Sequence, residues 1–154
     1  MNIGLIIHSQ TGHTLEIAEK LIPVLQSQGH QTTLFHIKAE KTNNGKAPQP
    51  LELPNLEGFE GIVFGSHVEA FQLAIPMKLA LEKIVSLKGK VIGCVVTQQL
   101  KKPWLGGSWA SMKMSKICES KEGSVKAVTS VQWSSNEKQE LIEHAIKALA
   151  EAFQ

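Results

Sequence analysis

The chain has 154 residues, 42% of them hydrophobic and 19% charged, with a formal net charge of +2. That length predicts one domain, since single domains run to roughly 100–200 residues, and it is enough to bury about two thirds of the unfolded surface. All 16 basic side chains are Lys and all 14 acidic ones are Glu, and Arg, Asp and Tyr are absent. An aspartyl-phosphate receiver, an Asp nucleophile, an EF-hand calcium loop and a bidentate guanidinium fork are therefore excluded.

Lys is spread along the chain, whereas a nucleic-acid surface clusters its basic residues. No nucleic-acid partner is expected. Cys94 and Cys118 are too far apart for a CxxC motif and too few for a disulfide framework, which fits free thiols in a reducing cytoplasm. The start, Met1-Asn2-Ile3-Gly4-Leu5, has no basic n-region or cleavage signature, and no apolar run is long enough to span a bilayer. The expectation is a cytoplasmic protein without a membrane segment.

Apolar runs alternate with helix-period stretches throughout, the pattern of βα units wound around a parallel sheet. Residues 3–7 are continuously apolar and read as a strand buried on both faces. Residues 14–28 place Leu15, Ala18, Leu21, Ile22 and Leu25 at a helical period, with Pro23 as a point of kinking and Gly29 as the stop. Residues 31–37 alternate as a second strand. The stretch 38–54 carries Asn43, Asn44, Gly45, Pro48, Pro50 and Pro54, which predicts an irregular surface loop, with a short helical turn around 53–58. A third strand is expected at 61–65 and a helix at 73–87 that buries Ile75, Leu79 and Ile84. Residues 90–97 repeat the buried-strand pattern, a long loop at 98–108 leads to a helix at 109–119, and 125–131 supply a fifth strand. The last helix, 136–153, starts at Asn136 as N-cap and buries Leu141, Ile142, Ala145, Ile146, Leu149 and Phe153. These elements make one α/β domain without an internal repeat.

In a doubly wound sheet ligands bind beyond the carboxyl ends of the strands, so the loops after the first, third and fourth strands are where chemistry is expected. The first, Ser9-Gln10-Thr11-Gly12-His13-Thr14, joins a buried strand to a helix N-terminus. It offers hydroxyls, a Gly for close backbone approach and free N–H groups, the makings of an anion cradle. It has neither the Lys of GxxxxGK[ST] nor a GxGxxG pattern, so a single terminal phosphate fits better than a nucleoside triphosphate. Each charge-assisted hydrogen bond to such a group is worth roughly 1.5–3 kcal/mol and the helix dipole roughly 0.3–1 kcal/mol. The plainer alternative is a turn that only caps its helix.

The order [ST]-x-T-G-x-T after an apolar strand, here Ser9, Thr11, Gly12 and Thr14 followed by Ile17-Ala18-Glu19, resembles the FMN phosphate loop of the flavodoxin family. Ile62-Val63-Phe64-Gly65-Ser66 is similar to that family's third strand and second flavin loop, and Ala74-Ile75-Pro76-Met77-Lys78 to a helix start of related flavoproteins. Gly89-Lys90-Val91-Ile92-Gly93 with Gly106-Gly107 resembles the fourth strand and third flavin loop. The resemblance runs over nearly the whole chain. It implies a flavodoxin-like doubly wound three-layer sandwich, a five-stranded parallel sheet in the order 2-1-3-4-5, and a noncovalently bound FMN. Its phosphate would be held by Ser9, Gln10, Thr11, Gly12, His13 and Thr14. Its isoalloxazine would lie between Ser66, His67, Val68, Glu69 and Phe71 on one side and Thr97, Gln98, Trp104, Gly106 and Gly107 on the other. The chain departs from the family pattern at His67, where Pro is frequent, and at Glu69, where an aromatic is common; Phe71 or Trp104 could stand in as the stacking ring.

His13 is either a donor to the phosphate, whose charge would raise its pKa, or an exposed residue at a helix start. His8 reads as a packing residue. The two are five apart and do not match HExxH, and no other spacing of His, Cys and Glu suggests a metal. Trp104 reads equally as a stacking ring or a loop anchor, whereas Trp109 is expected on the core because Met112 continues its apolar face. Lys101-Lys102-Pro103 forms a solvated crest that could attract an anionic partner. Cys94 reads as an inert core thiol and Cys118 as a less buried one. Two functions follow. One is a redox flavoprotein, an electron carrier or an NAD(P)H-dependent quinone-type reductase, with a redox protein or a nicotinamide or quinone as partner and a homodimer as an option. The other is an interaction module with weak or lost FMN binding, motivated by His67 and Glu69.

Overall fold

The computed structural model describes residues 1–39, 52–102, 104 and 106–154. Its elements in chain order are β1 (Asn2–His8), α1 (His13–Ser27), β2 (Gln31–His36), β3 (Gly61–Glu69), β4 (Gln72–Leu73), α2 (Ile75–Lys83), β5 (Val91–Gln98), α3 (Gly107–Ser120), β6 (Ser124–Gln132) and α4 (Lys138–Glu151). The long strands pair in parallel in the order β2-β1-β3-β5-β6, and the short β4 folds back antiparallel onto the end of β3. Counting the parallel strands alone, this is the expected 2-1-3-4-5 arrangement.

Side chains alternate across a strand, so the continuously apolar central strands feed two cores. Ile3, Leu5 and Ile7 of β1 join Val63 and Val95 under α1 and α4. Ile6, Ile62, Phe64, Ile92 and Cys94 face the opposite way, under α2 and α3. Each large aliphatic side chain buried this way contributes about 1.5–3 kcal/mol. Gly65 fixes how closely α1 lies on the sheet: a Cβ there would stand 2.7 Å from Ile7 Cδ1 and 3.0 Å from Thr14 Cγ2.

Several boundaries differ from expectation for identifiable reasons. β3 runs four residues past the expected end because its last two residues, Val68 and Glu69, pair with Leu73 and Gln72. That pairing takes Leu73 out of α2, which spans only Ile75–Lys83 and ends where Ile84 turns extended. Asn136 does not cap α4; Ser135 Oγ accepts the Glu137 N–H at 3.1 Å, and the helix begins at Lys138. The buried face of α3 is Gly107, Ala110, Ser111, Met114 and Cys118, so Trp109 and Met112 point outward, 71% and 49% exposed, against the expected core anchoring. Cys118 is fully buried, not the more accessible thiol. Most of the irregular connection expected at 38–54 lies outside the described residues, and the turn expected at 53–58 reduces to Phe59 N–H donating to the Leu56 carbonyl.

Candidate functional site

The loop after β1 reaches α1 through Gly12, whose φ of 92° is left-handed and suits a residue without a Cβ. Gly12 N–H donates to Ser9 Oγ at 3.1 Å, closing the turn. The next three N–H groups, of His13, Thr14 and Leu15, have no partner inside the helix, and no side chain of the N-cap residue reaches them. Gln10, Thr11 and Gly12 are exposed around them. This is the geometry that binds a phosphate, with the positive end of the helix dipole behind it.

Two members of the loop have other partners. Thr14 is fully buried and its hydroxyl shares a 2.8 Å hydrogen bond with that of Thr97 on β5, so only its backbone N–H faces the cradle. His13 stacks on Trp133, with ring centroids 4.2 Å apart and planes 12° apart, and Lys138 Nζ lies 5.0 Å from the same indole. Burial lowers the His13 pKa below its usual value, Glu16 opposes the shift, and Lys138 adds to it. Trp133 had no signal in the sequence, because it meets His13 only through the placement of β6 beside β5.

The segment after β3, expected as a second flavin loop, is a hairpin. Its two central residues, Ala70 and Phe71, have φ of 46° and 64°, the left-handed turn that usually takes Asn or Gly. Phe71 is thereby held at the tip, 59% exposed. Within the hairpin, His67 Nε2 donates to Glu69 Oε1 at 2.8 Å. The His67 ring lies 4.9 Å from that of His8, and its Nδ1 is buried with no hydrogen-bond partner among the described residues, a condition that costs about 1–3 kcal/mol. His8 Nδ1–H donates to the Ile37 carbonyl at 3.1 Å, and burial depresses its pKa against that bond, with His67 adding to the depression. Ser66, expected beside the flavin, is buried with its hydroxyl on the His67 carbonyl.

The loop after β5 is organised by Gln98, which is buried rather than presented to a ligand. Its Oε1 accepts the Gly107 N–H at 2.6 Å, capping α3 from a distance, and its Nε2 donates to the carbonyls of Leu100 and Lys102. Gly107 leaves room for that amide, and Gly106 presses on the hairpin: a Cβ at Gly106 would stand 2.7 Å from Val68 Cγ1 and 2.8 Å from Phe71 Cα. The cleft left between hairpin and loop, lined by Val68, Ala70, Phe71, Gln98, Gln99 and Leu100, holds about 200 Å³. That is below the roughly 300 Å³ of a pocket that encloses a small ligand, so a flat ring placed there would keep a face open. Trp104, 66% exposed with Lys102 Nζ 5.4 Å from its ring, stands free of the core. A groove of about 600 Å³ separates Phe71 and Trp109, with Lys78 and Lys113 on its walls.

Cys94 and Cys118 are both buried and free; the hydrogen bond to Cys118, then burial, pushes the Cys94 thiol well above its ordinary pKa, which makes it inert. Among the described residues, no helix is long and apolar enough to cross a membrane.

No protein-family model and no curated protein matches the sequence. Solved structures do match the fold. Oxidised flavodoxin 1 from Bacillus cereus superposes with a TM-score of 0.72 at 17% identity, covering 99% of this chain and 97% of that one. The Fusobacterium nucleatum flavodoxin bound to flavin mononucleotide gives 0.68 at 15% identity, with 99% of both chains covered. Rubredoxin oxygen:oxidoreductase from Desulfovibrio gigas gives 0.66 at 11% identity, over 98% of this chain and 35% of that one. The parallel order β2-β1-β3-β5-β6, the helices on both faces and these end-to-end likenesses establish a flavodoxin-like fold.

Proposed function

We propose that the chain binds FMN noncovalently at the carboxyl edge of its sheet and transfers electrons through it. The observation that carries this reading is the start of α1, where three backbone N–H groups without a capping side chain sit beyond Gly12 among exposed Gln10 and Thr11. Those donors lie at the positive end of the α1 dipole and beside exposed residues, where an anion could reach them. The flavodoxin neighbours support the reading, one of them by holding flavin mononucleotide in its own structure.

Bound there, FMN would supply the redox chemistry, and the chain would supply position and electrostatics. The N–H groups of His13, Thr14 and Leu15 and the hydroxyls of Ser9 and Thr11 would hold the phosphate. The Phe71 tip and the backbone of 98–100 would border the ring, leaving one face to a partner. Lys78 and Lys113 beside exposed Phe71 and Trp109, with Lys101 and Lys102 nearby in sequence, favour an anionic donor or acceptor. Flavin absorption bands in the freshly purified protein, and a Tm rise of about 5 °C or more at a hundredfold excess of FMN over Kd, are the expected results.

The contact of Gly106 with Val68 and Phe71 favours a second reading, an interaction module that has closed the ring site. Under that reading saturating FMN leaves Tm unchanged, because a ligand that does not bind the native state cannot stabilise it.

A further inference from the structure

We propose that His8, His67 and Glu69 form a binding site for one divalent first-row transition ion, for which Zn²⁺ is the reference. The proposal is independent of flavin binding. One ligand atom from each residue lies within 4.8 Å of the other two. A tetrahedral ion with bonds of about 2.0–2.2 Å holds its ligands roughly 3.3 Å apart, so the three atoms have to close by about 1.5 Å at most.

The surroundings favour coordination over a plain ion pair. His8 Nδ1–H is committed to the Ile37 carbonyl, which orients the ring and leaves Nε2 as a lone pair, the outer-shell arrangement that metal-bound imidazoles use. His67 Nε2 and Glu69 Oε1 already lie 2.8 Å apart, so one ion replacing the proton between them could be shared by both. A His67–Glu69 hydrogen bond alone does not account for the second imidazole 4.9 Å away. The ligands also sit on rigid elements: His8 ends β1 directly opposite Ser66 of β3, one residue from His67.

Two neutral imidazoles and one carboxylate leave a divalent ion with a net positive charge and an open coordination position. That position has somewhere to open: a cavity of about 320 Å³ is lined by His8, Ser9, His36 and Glu69 among others. Water or an anionic oxygen would complete the coordination there.

The test uses the untagged full chain without flavin, titrated with Co²⁺ and with Zn²⁺. The expected result is one Co²⁺ per chain, with the intense visible bands of a low-coordinate ion, displaced by Zn²⁺, and a Tm raised by several degrees. Glu69→Gln and His67→Gln should each weaken binding about a hundredfold while circular dichroism shows the fold intact, and His30→Gln, at the far end of the sheet, should bind as the parent does. Absence of stoichiometric Co²⁺ binding, binding that survives both Glu69→Gln and His67→Gln, or loss confined to His30→Gln would overturn the proposal.

Discussion

The loops that leave neighbouring strands β1 and β3 at the same edge of the sheet are hydrogen-bonded in opposite ways. The first closes itself with one bond, Ser9 Oγ to the Gly12 N–H, and leaves the donors of the α1 start free. The second folds back on itself: β3 pairs with β4, His67 pairs with Glu69, and Gly106 lies against the tip, with His67 Nδ1 left without a partner among the described residues. Under the proposed function the phosphate would meet a preformed helix start, whereas the ring would have to fit against a hairpin already packed on its neighbour. Affinity should come mainly from the phosphate end.

The largest expected effect breaks that end. Thr11→Glu places a carboxylate among the exposed residues beside the free N–H groups, where it should repel a phosphate and lower FMN affinity about a hundredfold or more, measured by quenching of flavin fluorescence. Next is Gly65→Ala, which drives a methyl into Ile7 and Thr14 and should cost about 1–3 kcal/mol through overpacking. Chemical denaturation reads that loss, and the displaced start of α1 should weaken FMN binding with it.

The hairpin responds in the other direction. Phe71→Gly relieves a left-handed backbone in a side chain that is 59% exposed, so it should stabilise the fold by about 1 kcal/mol and raise Tm by about 2–4 °C while weakening ring binding. A variant that lost both stability and flavin would show that Phe71 packs rather than borders the ligand.

The smallest effect is acidic. His8 and His13 have pKa values depressed in the fold, each by burial first, so between the folded and unfolded values the unfolded chain binds more protons and stability rises with pH. Their contribution is present above the unfolded value of 6.5 and is lost as pH falls through the folded values. Tm should fall on acidification below 6.5, and His13→Gln should flatten part of that slope.

The fold was legible because its central strands are apolar on both faces and its helices keep a 3.6-residue period, signals that survive without tertiary knowledge. The turn into α1 was legible for a local reason: Ser9 and Gly12 close it within four residues, just before the helix starts. The rest of the site depends on long-range placement. Ala70-Phe71 is not a turn dipeptide, and only the pairing of Val68 with Leu73 forces it into one. His8 meets His67 across two paired strands, and His13 meets Trp133 just past β6, which β3 and β5 separate from β1, so no spacing along the chain could announce either contact. Trp109 was misplaced because the apolar positions of α3 admit two faces, and the smaller residues Ala110 and Ser111 are the ones that fit against the sheet.

The measurement that tests the central claim most directly is a pair of parallel titrations, FMN and riboflavin, each followed by fluorescence quenching at one pH and salt concentration. The two ligands share a ring and differ by the phosphate alone. If the α1 start is the anchor, FMN should bind and riboflavin should bind at least about a hundredfold more weakly, since several charge-assisted hydrogen bonds are lost together. Equal affinity for the two, or binding of neither, would contradict it.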